Sequence, residues 1–454
     1  MEETASFSCD NELLNQLYEN ARWGIRGNYH GMPTDCPQRD ERLGWTGDRF
    51  TGCFGENILF DNGAFYYKWL RDLQDTQNDE GQIADIAPEF YNGIRSLNVT
   101  WAGAFVSATY MLFRRYGDMQ AIWTYYPALK IWLNYMLQKG MKDGVMVADT
   151  YGDWCMPPER EDLIHSEDST RKTDGAILGT TVCYDILRMM KEMATFIGNG
   201  ADATYYARVA AQMKASYNRK YFNTEKGCYG NNTVTANILS LQLGLVPDGF
   251  EEKVMQNIVD VTEKNFDSHV SCGVLGIQHL MRGLTRRGHS DLAWRIVNQR
   301  TYPSYGYMID NGATTIWELW NGNTANPAMN SANHVMLLGD LLLWYFEDLA
   351  GIRNADGYNG YNKLEMKPCF PLGLNHVKAT QMTASGKVES EWTRQSDRLQ
   401  WRIRIPANTT ARITIPTAFG ILPSVGNGVH SVRQEGFNTI IQIGSGCYQW
   451  QTEQ

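Results

Sequence analysis

From Asp35 to Asp48 the chain reads Asp-Cys-Pro-Gln-Arg-Asp-Glu-Arg-Leu-Gly-Trp-Thr-Gly-Asp, so fourteen residues hold four carboxylates, two guanidiniums and an indole. An amphipathic helix or strand does not have this composition. Acids and arginines on a loop shaped by Gly and Pro can grip hydroxyl groups and move protons. The indole of Trp45 adds a flat apolar face with a polar edge, which suits a sugar ring. Three further loops concentrate similar residues: Asn98-Val-Thr-Trp101, Asp149-Thr-Tyr-Gly-Asp153-Trp154, and Thr314-Thr-Ile-Trp317-Glu318-Leu-Trp320 followed by Ser331-Ala-Asn333-His334.

Two acids are candidates for proton transfer. Glu41 lies between Asp40 and Arg42, with Asp35 and Asp48 close in sequence. Neighbouring acids and partial burial raise a carboxyl pKa, while Arg39 and Arg42 act the other way. Glu318 is bracketed by Trp317 and Trp320, and an acid in an aromatic loop is costly to desolvate unless it is hydrogen-bonded or functional. A helix cap or an arginine pair would account for Glu318 as well. Two glutamates in separate aromatic loops of one cup fit glycoside hydrolysis. There one carboxylic acid protonates the leaving oxygen and the other carboxylate activates water. His334 precedes a very apolar stretch and reads either as a satisfied core residue or as a contact for a sugar hydroxyl. No residue cluster has metal-ligand spacing, and no phosphate loop or nucleophile elbow occurs, so neither a metal nor a cofactor is expected.

The elements that must position these loops are helical up to about residue 350. Segments 118–139, 174–197, 202–220, 249–264 and 288–300 have apolar residues at helical spacing, and 331–350 is apolar almost all round, as an enclosed helix is. Alternation of inner apolar and outer amphipathic helices predicts a double-layered helical toroid, which gathers its inter-helix loops at one end. Residues 351–361 read as a Gly/Asn/Asp/Tyr connector. Beyond it the period switches to two: Leu399, Trp401, Ile403 and Ile405 alternate with polar residues, as do Ala411, Ile413 and Ile415. Residues 362–454 are expected to form a small antiparallel β-sandwich that packs on the toroid as a structural cap.

With 454 residues, 43% of them apolar, the chain can bury a large core. A net charge of −9 argues against a nucleic-acid partner. No run of 18 apolar residues offers a membrane span. The nine cysteines form no CxxC pair, and most are expected to be small buried hydrophobes. The first residues show no secretory leader.

The segment 35–48, with Thr314-Thr-Ile-Trp-Glu318 and Ser331-x-Asn-His334 after it, resembles the α-L-rhamnosidases of glycoside hydrolase family 78. The likeness runs from about residue 10 to the end. It implies an (α/α)6 barrel over residues 1–350 followed by the β-sandwich, and inverting hydrolysis of terminal α-L-rhamnosides. It also implies roles: Glu41 as general acid and Glu318 as the base that activates water. Asp35, Arg39 and Asp48 would hold rhamnose hydroxyls, and Trp45, Trp101, Trp154 and His334 would form pocket walls. The alternatives are a related barrel glycosidase acting on another terminal sugar, and a sugar-binding homologue without turnover. The position two after Trp101, often acidic in the family, is Gly103. The family's usual N-terminal β-sandwich domains do not precede the barrel, so the chain is expected to be a piece of a longer protein; its localisation is open, the bacterial cytoplasm or periplasm applying if it is such a piece.

Overall fold

The computed structural model describes residues 1–90, 93–147, 149–325, 331–338, 341–396 and 398–452, with the side chain of Thr51 left aside. Six inner elements form a closed ring. Among the described residues they are the helices Thr46–Leu59, Ala104–Tyr116, Gly175–Phe196, Val234–Gln242 and Val274–Arg286, and the segments Met336–Leu338, Leu341–Leu343 and Trp344–Leu349, which return to the first. Outer helices pack around them: Glu12–Gly27, Gly63–Asp75, Met119–Gly140, Gly200–Tyr221 and Glu251–Phe266, with the short Ser290–Val297 and Tyr305–Asp310. Sequence chemistry sets the two layers. Val234–Gln242 buries Val234 through Leu241, whereas Glu251–Phe266 buries only the stripe Val254, Met255, Ile258, Val259 and Thr262. Asp118 and Asp174 cap their helices by accepting from Gln120 and Ala176 backbone N–H groups at 2.8 Å each. This six-hairpin barrel is the architecture expected.

The apolar stretch 331–350 departs from the continuous helix expected there. Met336–Leu338 is a 3₁₀ turn, Leu341–Leu343 is α-helical, and Trp344–Leu349 is a π-helix; Gly339 and Asp340 lie outside the described residues. Where nearly every position is apolar, periodicity cannot report the pitch of the helix. Tertiary partners anchor this wide turn: the Trp344 indole donates to Thr285 Oγ1 at 2.8 Å, and the Tyr345 hydroxyl donates to the Leu14 carbonyl at 3.1 Å.

The C-terminal part is two five-stranded sheets. One, antiparallel throughout, orders its strands Ala5–Cys9, His376–Thr383, Gly386–Gln395, Arg398–Ile405, Gly446–Gln451. The other orders Val429–Glu435, Asn438–Ile443, Thr410–Pro416, Lys363–Met366, Ile352–Asn354, and its Thr410–Pro416/Lys363–Met366 pair is parallel. Along Arg398–Ile405 every second residue is buried, as the alternation requires. Two strands lie where no strand was expected. The expected connector 351–361 contains the edge strand Ile352–Asn354, and the expected barrel segment 1–350 begins with a strand that belongs to the sandwich. Ala5–Cys9 pairs with a strand more than 360 residues on, which leaves no local signal, and Ile352–Asn354 is only three residues long, too short for an alternation to show. The two parts are fastened where they meet: Trp392 Nε1 donates to Leu349 O at 2.8 Å, Ser390 Oγ to Ala350 O at 2.7 Å, and Phe7 stacks on Tyr345 at 4.5 Å.

Candidate active site

The amino ends of several inner helices converge on one cavity of about 130 Å³, lined by Asp35, Arg39, Glu41, Trp45, Asp48, Trp101, Trp154, Glu318 and His334. All nine residues singled out in the sequence are thus brought together. Tyr151 and Met336 complete the lining and were missed. Tyr151 carried a signal, since it lies in the aromatic loop 149–154. Met336 carried none, because it looks like the rest of the apolar stretch. A larger cavity, about 600 Å³, contains none of the nine; chemistry, not size, identifies the site.

The opening segment is held by close backbone approaches. Asp35 N–H donates to Leu43 O at 2.9 Å, and Asp35 Oδ1 accepts from Leu43 N–H at 2.7 Å, which pinches 35–43 into a loop presenting Arg39 and Glu41. Gly44 lies against Ala87, whose carbonyl oxygen would stand 1.9 Å from a Cβ there. Gly47 lets the Trp101 indole pack on the first turn of Thr46–Leu59, with a Cβ there only 2.3 Å from the ring. That turn also carries Asp48.

The two glutamates meet at one guanidinium. Arg39 Nη2 stands 2.5 Å from Glu41 Oε2 and 3.2 Å from Glu318 Oε2. Glu41 Oε1 accepts from Trp45 Nε1 at 2.7 Å. Glu318 is presented by a short pairing of two chain segments: its N–H donates to Ser331 O at 2.9 Å, and His334 N–H donates to Ile316 O at 2.8 Å. The two motifs also touch directly, with Gln38 Nε2 donating to Ser331 Oγ at 2.7 Å. Burial pushes the Glu318 carboxyl up to about 7, against the pull of Arg39 and with help from Glu41 and Asp35. Burial likewise raises Asp35, and it raises Asp48 well above the usual carboxylate range, where Asp35 adds to the effect and Arg49 opposes it. Burial, with Arg39 and Arg49 nearby, keeps His334 neutral. Its Nδ1 accepts from Met336 N–H at 3.3 Å, which leaves the proton on Nε2, 3.5 Å from Asp48 Oδ1.

Aromatic rings form the wall. Trp101 and Tyr151 lie 4.2 Å apart, centroid to centroid, and Trp45 meets Tyr151 edge-on at 6.3 Å. The Tyr151 hydroxyl donates to Asp85 Oδ2 at 2.8 Å. Trp154 is positioned by its neighbour Asp153, whose carboxylate accepts from Gly273 and Leu275 N–H at 2.8 Å each and from Gly276 at 3.2 Å, at the start of Val274–Arg286. Asp149 accepts from the Thr100 hydroxyl. These two aspartates are therefore structural. Gly103 does not line the cavity: a side chain there would meet Val99 O at 2.4 Å and Ile186 at 2.8 Å. Asp35, Cys36 and Glu41 bring ligand-type atoms within 4.8 Å of one another. Asp35 and Glu41 are already engaged, by Leu43 and by Arg39 and Trp45.

Comparison with known proteins places the fold. Residues 2–349 match the family model of the bacterial alpha-L-rhamnosidase six-hairpin glycosidase domain, and 351–429 match that of the bacterial alpha-L-rhamnosidase C-terminal domain. An alpha-L-rhamnosidase of Streptomyces avermitilis is 32% identical over 98% of this chain and 42% of its own length; one from Alteromonas sp. is 29% identical over 98% and 48%. The chain thus spans under half the length of these curated relatives. Among solved structures, the Streptomyces avermitilis alpha-L-rhamnosidase complexed with L-rhamnose aligns over all of this chain and 42% of its own, with a TM-score of 0.89 and 31% identity. The alpha-L-rhamnosidase from Dictyoglumus thermophilum aligns with a TM-score of 0.90 and 30% identity, over all of this chain and 51% of its own.

Proposed function

Since the chain belongs to the bacterial α-L-rhamnosidase six-hairpin glycosidase family, we propose that it hydrolyses terminal α-L-rhamnosides of glycans or glycoconjugates with inversion. The observation that carries this reading is the single Arg39 nitrogen shared by Glu41 and Glu318 in an aromatic-walled cavity. Glu41 donates a proton to the glycosidic oxygen. Glu318 takes a proton from the water that attacks the anomeric carbon from the opposite face. The Glu41 side chain is 31% exposed and that of Glu318 is 6%, which suits a donor at the leaving-group side and a base deeper in the pocket. A base near 7 is ionised above neutrality and still accepts a proton with good driving force. Asp35, Arg39 and Asp48 are assigned to the sugar hydroxyls. Arg39 supports this, because its Nε and Nη1 are buried without a hydrogen-bond partner among the described residues. Trp45, Trp101, Trp154 and His334 face the ring and its 6-methyl group.

The nearest oxygens of the two acids are no further apart than the sum of their distances to Arg39, about 5.7 Å. Carboxyl pairs stand roughly 6.5–9.5 Å apart for inversion and about 5–5.5 Å for retention. That bound lies below the inverting spacing and near the retaining one, so inversion rests on the likeness of the motifs, and the anomer formed first decides the stereochemistry. Proton NMR during turnover should show β-rhamnose first; α-rhamnose first overturns inversion. Aryl glycosides of rhamnose, fucose, glucose, mannose and glucuronic acid test the sugar, with the rhamnoside alone expected to be cleaved. Cleavage of another sugar instead, or of none, overturns the assignment.

One observation favours a second reading with the roles exchanged: a carboxyl lifted to about 7 by burial is also what a proton donor requires. Substitution to Gln separates the two. Glu41→Gln should abolish cleavage of natural rhamnosides and partly spare an activated aryl rhamnoside, which needs less protonation. If Glu318→Gln is the variant spared on the activated substrate, the roles are exchanged.

A further inference from the structure

We infer that Arg49 and Glu56, a buried ion pair behind the cavity, position Asp35 and Asp48 for the substrate; the inference rests on the glycosidase reading of that cavity. Both side chains are at most 1% exposed, and Arg49 Nε stands 3.3 Å from Glu56 Oε1. They lie seven residues apart on Thr46–Leu59, two turns along one face of the helix. The other Glu56 oxygen accepts from the hydroxyls of Tyr29 and Tyr66, each at 2.9 Å, and Asn62 Nδ2 donates to Tyr29 Oη at 3.0 Å. Glu56 is therefore fixed from several sides, and it fixes Arg49.

Arg49 in turn grips the loop of the site. Its Nη2 donates at 3.0 Å to the Thr34 carbonyl, the peptide that leads into Asp35. Asp35 is the residue whose two bonds to Leu43 close the loop that carries Arg39 and Glu41. Arg49 is also the chain neighbour of Asp48. Asp35 and Glu318 repel the Asp48 charge, His334 stands 3.5 Å from it, and Arg49 supplies positive potential from behind, with Arg39 across the cavity.

Stability alone does not account for the pair. Desolvating two charges costs about as much as their attraction returns, and a well-packed apolar pair of similar volume often serves a core better. An apolar pair cannot bond the Thr34 carbonyl, and it cannot hold positive charge behind two aspartates.

Three variants of the whole chain test this: Arg49→Met, Arg49→Lys and Glu56→Gln, each measured for folding, kcat, KM and pH profile on an aryl rhamnoside. Arg49→Met should lower kcat/KM on the order of 10²-fold, mainly through KM, because the loop is displaced. Its acid limb should move to higher pH, since a cation facing the site acids is gone. Glu56→Gln should move the limb to lower pH, since the Arg49 charge is no longer neutralised. Arg49→Lys should keep the limb near its wild-type position and still lose KM, because the Thr34 bond is lost. Unchanged KM with unmoved limbs, shifts in one common direction, or losses that merely follow the folded fraction overturn the inference. Should Arg49→Met not fold, the other two variants carry the test. Carbon-13 titration of aspartate side chains reads Asp35 and Asp48 without turnover. A wild type inactive on rhamnosides then counts against the function, while unmoved aspartates in the variants count against the pair.

Discussion

At the residue scale, one arginine and several buried acids define the site. Arg39 holds Glu41 and Glu318 together through one nitrogen, and its Nε and Nη1 are buried without a hydrogen-bond partner among the described residues. Burial raises Asp35, Asp48 and Glu318 together, so the folded state retains protons that the unfolded chain releases. Stability therefore falls as pH rises through the window between each ordinary and raised value, which for Glu318 runs from 4.5 to about 7. Glu318→Gln should remove that dependence. Thermal melts should show the variant gaining on the wild type as pH rises from about 5 to 8, by about 1–3 kcal/mol at the upper end, while hydrolysis is lost. A melting difference independent of pH would sink this account. For the wild type, kcat/KM should fall as pH drops below about 7, because a base must be ionised.

At the element scale, close approaches between loops and helix starts set the geometry. Gly47→Ala would drive a Cβ into the Trp101 indole. The expected result is a folded protein destabilised by about 1–3 kcal/mol with a raised KM for rhamnosides, as the wall shifts. A KM equal to wild type would show that Trp101 is not a wall of the binding site. Asp153→Ala removes the acceptor for three backbone N–H groups and the Thr235 hydroxyl at the start of Val274–Arg286. Calorimetry should register a loss of about 1–3 kcal/mol, as for a lost helix cap with buried donors left unpaired.

At the scale of the whole molecule, barrel and sandwich share strands, hydrogen bonds and ring contacts. Ala5–Cys9 pairs with His376–Thr383, and Arg115 Nη2 donates to Met382 O at 2.8 Å. The two parts should melt in one calorimetric transition, and two resolved transitions would contradict this. Removing residues 1–10 should lower Tm and promote aggregation, because it exposes the edge of His376–Thr383 and uncovers Tyr345. A truncated chain as stable and as monodisperse as the parent would refute that dependence.

Local chemistry made part of this protein readable in advance. The alternation around Trp401, the amphipathic outer helices and the acid- and arginine-rich loop at 35–48 each carry a signal within a few residues, because periodicity and composition follow directly from which face is buried. Those signals pointed to a helical toroid, a sandwich and loops rich in acids and aromatics, and the likeness to the family singled out nine residues within those loops. Relations between distant segments were decided only by tertiary structure. The strand at residue 5 finds its partner beyond residue 376, the two glutamates expected in one cup meet at a single Arg39 nitrogen, and Met336 joins the cavity lining from an otherwise uniform apolar stretch. Contacts of this kind arise when packing closes a ring, and the energy that selects them is spread over the whole core rather than written at either partner.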